Sequence, residues 1–213
     1  MRTLPVYLMA FLAVLLSGCR STLITNLVAR PGEKLFWDDF SDPSGNWPQV
    51  AGPNGNAGVA QGGYQIQVLS AQKEILATSG HIFRDVQVEA DATRLAGPLQ
   101  NLFGLVCRSS DASDFYFFAI SSDGYYGMGK VKNARVALLG QEMMVYSPAI
   151  LEGNPNHLRF DCTGETLKGY VNGQLIASGT DADFSSGEAG LVAGALDKPG
   201  VNVAFDNFVV YKP

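Results

Sequence analysis

Between Lys34 and Pro213, apolar residues recur at every second position in runs of five to ten, and clusters of Gly, Asp, Asn and Pro separate the runs. No helical period of useful length is present. The stretch 84–93 is the clearest case. Val86, Val88, Ala90 and Ala92 fall on one face and Gln87, Glu89, Asp91 and Thr93 on the other, the mark of an antiparallel strand with one wet face. The same pattern predicts strands over 34–40, 64–69, 74–79, 100–108, 157–162, 189–196 and 202–211. Asp123-Gly124 lies between DFYFFAISS and YYGMGKVK, and Asn172-Gly173 between TLKGYV and QLIAS. Both dipeptides suit a type I′ hairpin turn, whose two central residues take positive φ. In DFYFFAISS both faces are apolar, with Phe115, Phe117 and Ala119 on one and Tyr116, Phe118 and Ile120 on the other. That strand is therefore expected to be central and covered on both sides, with Tyr116 and Phe118 in the core. Ten or more strands in about 180 residues predict an all-β, two-sheet antiparallel sandwich forming one domain.

The chain begins differently. After a single charge at Arg2, residues 4–16 are almost unbroken apolar sequence ending in Leu16-Ser17-Gly18-Cys19. This is the outline of a signal peptide. Its apolar run, about 13 to 15 residues, falls short of the roughly 20 that a membrane-spanning helix needs. Leu16-Ser17-Gly18-Cys19 resembles a bacterial lipobox. That implies removal of residues 1–18 and lipidation of Cys19, with acyl chains such as palmitate held in the bilayer at about 0.8 kcal/mol per buried methylene. The expected location is extracytoplasmic, anchored to the cell membrane or outer membrane. Arg20 does not resemble an aspartate-type inner-membrane retention signal and so favours the outer membrane. Residues 19–33 are then the lipidated cysteine and a tether, and 34–213 the sandwich. In the alternative, Leu23, Ile24, Leu27 and Val28 pack on the domain or rest among headgroups.

The chain has three cysteines. Cys107 shares a strand face with Leu105 and Phe103, and Cys162 with Phe160 and Leu158, so both sulfurs are expected to point inward. An exported protein lives where disulfides persist, and with Cys19 carrying lipid one pair is left. A Cys107–Cys162 bridge is predicted, the alternative being two buried thiols.

Charge and composition remove several functions. The formal net charge of −5 becomes −6 once Arg2 leaves with the signal peptide, so the basic surface that nucleic acid requires is not expected. Two histidines and three cysteines cannot build a histidine-rich metal centre or a four-thiolate zinc site.

The segments LFWDDFSDPSGNW, GLVCR, DFYFFAISSDGYYGMGK, NHLRFDCTGETLKGYVNG, GEAGLVAG and VAFDNFVVY together resemble the concanavalin A-like lectin/glucanase superfamily. Within it the resemblance is to the laminin G-like and 3-keto-disaccharide hydrolase-type domains of bacterial exported proteins. It implies a jelly-roll sandwich whose first and last strands are neighbours, a fold that hosts lectins, glycan hydrolases and adhesive modules. The retaining glucanases of the superfamily carry Glu-x-Asp-x-x-Glu on one strand. Here the nearest match is Glu89-Ala90-Asp91-Ala92-Thr93-Arg94, with Arg94 where the last acid would stand. No Gly-x-Ser-x-Gly elbow occurs, and His81 and His157 lie near turns without a metal-ligand spacing around them. No catalytic residue is assigned.

For binding, sugar rings stack on exposed aromatics. The candidates are Trp47, in the glycine-rich stretch 45–63, and Tyr125 and Tyr126, which alternate so that one of them is exposed. Trp47 has an alternative role as a staple holding the N-terminal loop to the sandwich. The resemblance also raises a structural calcium ion at Asp39, Asp206 and Asn207, beside Asp38, the alternative being that these acids cap turns. The expected function is a lipid-anchored extracytoplasmic module that binds a glycan or another surface component without catalysis. A hydrolase acting on oligosaccharides or 3-keto-disaccharide-type sugars, and a structural module with no sugar site, are the alternatives.

Overall fold

The structure, a computed structural model, describes residues 29–45 and 47–213. Residues 1–18, read from the sequence as a signal peptide, together with Cys19, Leu23, Ile24, Leu27 and Val28, lie outside the described residues.

Sixteen strands are described. In chain order they are β1 (Lys34–Asp38), β2 (Val50–Gly52), β3 (Gly55–Ala60), β4 (Gly63–Val68), β5 (Lys73–Phe83), β6 (Val86–Ala96), β7 (Asn101–Asp111) and β8 (Asp114–Ile120). They continue with β9 (Tyr125–Lys132), β10 (Arg135–Leu138), β11 (Val145–Tyr146), β12 (Asn156–Thr163), β13 (Thr166–Val171), β14 (Gln174–Thr180), β15 (Gly187–Ala195) and β16 (Val201–Tyr211). The nine-stranded sheet runs β14-β13-β12-β6-β16-β4-β3-β2, with β1 pairing the far half of β16. The seven-stranded sheet runs β10-β9-β8-β7-β15-β5, with β11 pairing β9. All pairings are antiparallel. The first and last strands are neighbours, as the resemblance implied.

Period-two alternation places the core between the sheets. Val86, Val88, Ala90 and Ala92 of β6, Leu158 and Phe160 of β12 and Val203 and Phe205 of β16 face Phe103 and Leu105 of β7 and Tyr116, Phe118 and Ile120 of β8. Cys107 of β7 and Cys162 of β12 are joined by a disulfide across this core. In the chain-entropy account, closing a loop of 55 residues contributes about 4 kcal/mol. Arg108, next in the chain, is buried and fully satisfied. Its guanidinium donates to the carbonyls of Arg84, Gly164, Phe184 and Cys162 and to the Asp85 carboxylate. A cation this deep persists only with every donor paired, so it pins four chain segments beside the bridge.

Two expectations are corrected. Asn172 and Gly173 both take positive φ, as a type I′ turn requires, whereas only Gly124 of the other dipeptide does. There the Gly124 N–H bonds to the Ser121 carbonyl and the Ser121 N–H to the Tyr125 carbonyl. The result is a three-residue loop, Ser122-Asp123-Gly124. The Asn101 side chain holds it from outside by accepting the Ser122 N–H. The second correction concerns β8. It lies inside its sheet with its Tyr116 face in the core, while on the opposite face Phe115 and Ala119 are buried and Phe117 is partly exposed, so that face is covered only in part. The strands the pattern missed, β2, β3, β10 and β11, are short or, like GNAGVA in β3, lack large side chains.

Candidate functional site

The outer face of the seven-stranded sheet holds the apolar half of the candidate site. Register aligns Phe115 with Val131, Phe117 with Gly129 and Ala119 with Gly127, and Val192 with Gly104 and Leu76. Phe115, Val106, Val131 and Val192 form a second apolar cluster, separate from the core, with Leu76 and Phe117 packed on it. Phe115, Phe117, Val131 and Val192 of these line a groove of about 350 Å³ together with Leu102, Ala119, Val136 and Gly194, and Gln72, Lys73, Glu74 and Asp197 line it as well. An apolar pocket of this size with a few polar groups is the usual form of a ligand site.

Glycine shapes the floor. A Cβ on Gly129 would lie 3.0 Å from Phe117 Cζ, so the Phe117 ring lies against bare backbone. Gly194 leaves open space of a different kind. A Cβ there would meet only ordinary contacts, 3.4 Å to Glu74 Cβ and 3.7 Å to Leu102 Cβ, so a larger side chain would enter the groove without straining the strand.

Tyr125 stands on the same sheet face. It is 41% exposed and meets Tyr146, 61% exposed, edge to face with centroids 5.8 Å apart. Tyr126 takes the opposite face and packs against the core, so of the two tyrosines Tyr125 is the exposed one. Tyr146 was not singled out in the sequence, because its pairing with Tyr125 spans a loop with no periodic signal. Trp47 is corrected. It is only 4% exposed and packs with Phe40, Tyr64 and Phe208. Its ring has no free face for a sugar, and its part is that of the staple.

Around β6 and β12 the outer face of the nine-stranded sheet is polar and internally paired. β6 and β12 align Asp91 with His157 and Glu89 with Arg159. His157 Nδ1 lies 2.8 Å from Asp91 Oδ1 and its Nε2 lies 3.4 Å from Glu89 Oε2. Asn207, at positive φ in a bulge of β16, donates to the other Asp91 oxygen at 2.9 Å. The His157 pKa is pushed up to about 9, first by Glu89 and then by Asp91. Glu89 dominates despite its longer contact because it is the more buried, 17% against 38% exposed, so less water screens it. The same contact holds the Glu89 carboxyl below its ordinary value, the reverse of what a general acid needs. Arg94, in place of the motif's last acid, donates to the Gly97 carbonyl. Arg159 binds Asp161 through two nitrogens at 2.7 and 2.8 Å and lies 4.6 Å over the Tyr170 ring. His81 stacks near Phe36 and Phe83, away from any carboxylate pair.

At the corner suggested for calcium, Asp39 accepts the N–H and hydroxyl of Ser41, and Asp206 accepts the Asn207 N–H. These are turn-capping bonds. Among the described residues no three His, Cys, Asp or Glu side chains converge as metal ligands. Melting with calcium and with chelator tests the ion itself.

No family model and no curated protein matches the chain. Among solved structures it is similar to the carbohydrate-binding module CBM66 from Bacillus subtilis, with a TM-score of 0.65 and 21% identity over 79% of this chain and 96% of that one. It is also similar to a Bacillus licheniformis β-glucanase, with a TM-score of 0.61 and 14% identity over 86% of this chain and 100% of that one. A Bacillus subtilis protein of unknown function with a galectin-like fold gives 0.62 at 13% identity, over 85% and 97%. At such identities the likeness is one of fold, and the fold is the concanavalin A-like jelly roll.

Proposed function

We propose that this chain is a lipid-anchored, extracytoplasmic module that binds a glycan, without cleaving it, in the groove of its seven-stranded sheet. The observation that carries the reading is the groove itself, an apolar floor with Phe117 partly exposed and four polar side chains in its lining. The apolar C–H face of a sugar ring packs on such a floor while its hydroxyls meet Gln72, Lys73, Glu74 and Asp197. Tyr125 and Tyr146 offer further aromatic surface on the same face. Similarity in fold to a carbohydrate-binding module supports the reading, and the lipobox at Cys19 supports the anchor.

The test is a glycan-array screen of the chain from Arg30 onward, with every hit also assayed for product. Binding without turnover is expected. Product release from a bound glycan would replace this reading with the hydrolase, and silence on every glycan would overturn sugar recognition. Mass spectrometry of the membrane-extracted protein checks the anchor. An N-terminus at Cys19 carrying acyl mass is expected, and an unmodified Cys19 would contradict it.

A further inference from the structure

A second surface, on the opposite side of the molecule, carries uncharged polar groups. Asn56 of β3, Gln67 of β4 and Asn202 of β16 are register partners in one row, spaced by the interstrand distance of about 4.8 Å. All three face outward, since their neighbours Ala57, Ile66, Val68, Val201 and Val203 are core. Gln65 stands in the next row, between Gly58 and Ala204, and Gln49 lies over Gly58, whose Cβ would come within 2.1 Å of its Oε1. Together they line a shallow trough of about 330 Å³ with no charged side chain in its wall.

An amide carries two donors and two acceptor lone pairs, and in a purely structural ladder these would bond to one another. Here they do not. Gln65 reaches the Ala60 carbonyl and Gln61 at 3.3 and 3.4 Å. The side chains of Gln49, Asn56, Gln67 and Asn202 form no hydrogen bond with other described residues. Asn202 Oδ1 is moreover shielded from solvent and unpaired, a state that proteins ordinarily avoid.

We infer that this trough is a second glycan site, for a neutral, hydroxyl-rich chain lying across β3, β4 and β16. Hydroxyls both donate and accept, which matches amides, and a donated hydroxyl hydrogen satisfies Asn202 Oδ1. The trough has no cation for a carboxylate or phosphate and no anion for an amine. Peptides are held by edge pairing or in apolar grooves, whereas the row of amides Asn56, Gln67 and Asn202 stands on β3, β4 and β16, each paired on both sides within the sheet.

The experiment is affinity electrophoresis of the full-length chain in neutral detergent, through gels containing laminarin, levan or dextran, with polygalacturonate as the anionic comparison. Because the groove of the other sheet is also proposed to bind glycan, the Gly194→Leu variant, with its groove filled, is run beside the wild type. Retardation by at least one neutral polymer is expected to persist in Gly194→Leu. Asn56→Ala and Gln67→Ala should each weaken it about fivefold, the worth of one hydrogen bond. Asn56 is exposed, so its truncation leaves folding intact whatever Gly194→Leu does, and unchanged retardation of Asn56→Ala/Gln67→Ala in the wild-type background overturns the inference. Loss of all retardation in a folded Gly194→Leu overturns it while upholding the groove. Retardation by polygalacturonate alone, or by nothing, overturns it as well. So does concentration-dependent dimerisation that Asn56→Ala abolishes, which would make the face an interface between two copies.

Discussion

The two outer faces of this sandwich are built from strands of similar length and differ in what their outward side chains do. On the nine-stranded sheet, His157 is bonded to Glu89 and Asp91, Asn207 to Asp91, and Arg159 to Asp161. On the seven-stranded sheet, Phe115, Phe117, Val131, Val136 and Val192 line a groove. A sheet that only needs to be wet alternates apolar and polar residues, as β6 does. A sheet that keeps aromatic and branched side chains on its outer face packs most of them into a second cluster, here Phe115, Val131 and Val192. It leaves apolar area open at the partly exposed Phe117 and the exposed Val136, and such area marks binding surfaces. β8 shows the contrast within seven residues, since Phe118 is fully buried in the core and Phe117 is half-buried on the groove side.

Phe118→Ala against Phe117→Ala breaks this comparison most sharply. Truncating Phe118 should cost about 3–5 kcal/mol of stability, the range for a buried aromatic, and Phe117 markedly less, with sugar binding lost instead. Equal losses in urea unfolding would mean that the groove face is as closed as the core. Removing the inter-sheet bridge with Cys107→Ser/Cys162→Ser should cost about 4 kcal/mol. Both faces depend on it, so an unchanged midpoint would show that the sheets are held together without it.

The polar face predicts a pH dependence that the groove does not. His157 has its folded pKa raised from its ordinary value of 6.5 to about 9. Its contribution is therefore complete below about pH 6.5 and is lost as pH rises through about 9. Thermal melting should show a modest decline across that window, and His157→Gln should flatten it. A wild-type curve already flat there would refute the carboxylate clasp. The smallest effect is expected from Tyr125→Ala, which should weaken glycan binding by a few-fold with little change in melting. A Tyr125→Ala protein that binds like wild type would confine the site to the groove.

Much of this architecture was legible in the alternation of residues along the chain. The core faces of β6, β7, β8 and β12 follow from period two, and the parity of Cys107 and Cys162 placed both sulfurs inward, where the bridge forms. What alternation could not convey was which strands become neighbours. His157 is 66 residues from Asp91, and only the pairing of β12 with β6 brings them together. For the same reason the apolar outer face of β8 read as a strand covered twice. Whether another layer covers a strand is a property of the assembled sheets. Trp47 illustrates the converse, an aromatic in a glycine-rich stretch that could stack on a ligand or on Phe40, Tyr64 and Phe208. Its packing on those three rings turns it inward.

The claim that the groove is the glycan site is tested most directly by titrating a glycan identified on the array into wild type and Gly194→Leu, with melting temperatures confirming that both are folded. The account predicts at least a tenfold loss of affinity in Gly194→Leu, about 1.4 kcal/mol or more, at nearly unchanged stability. Equal affinity in the two folded proteins would contradict it.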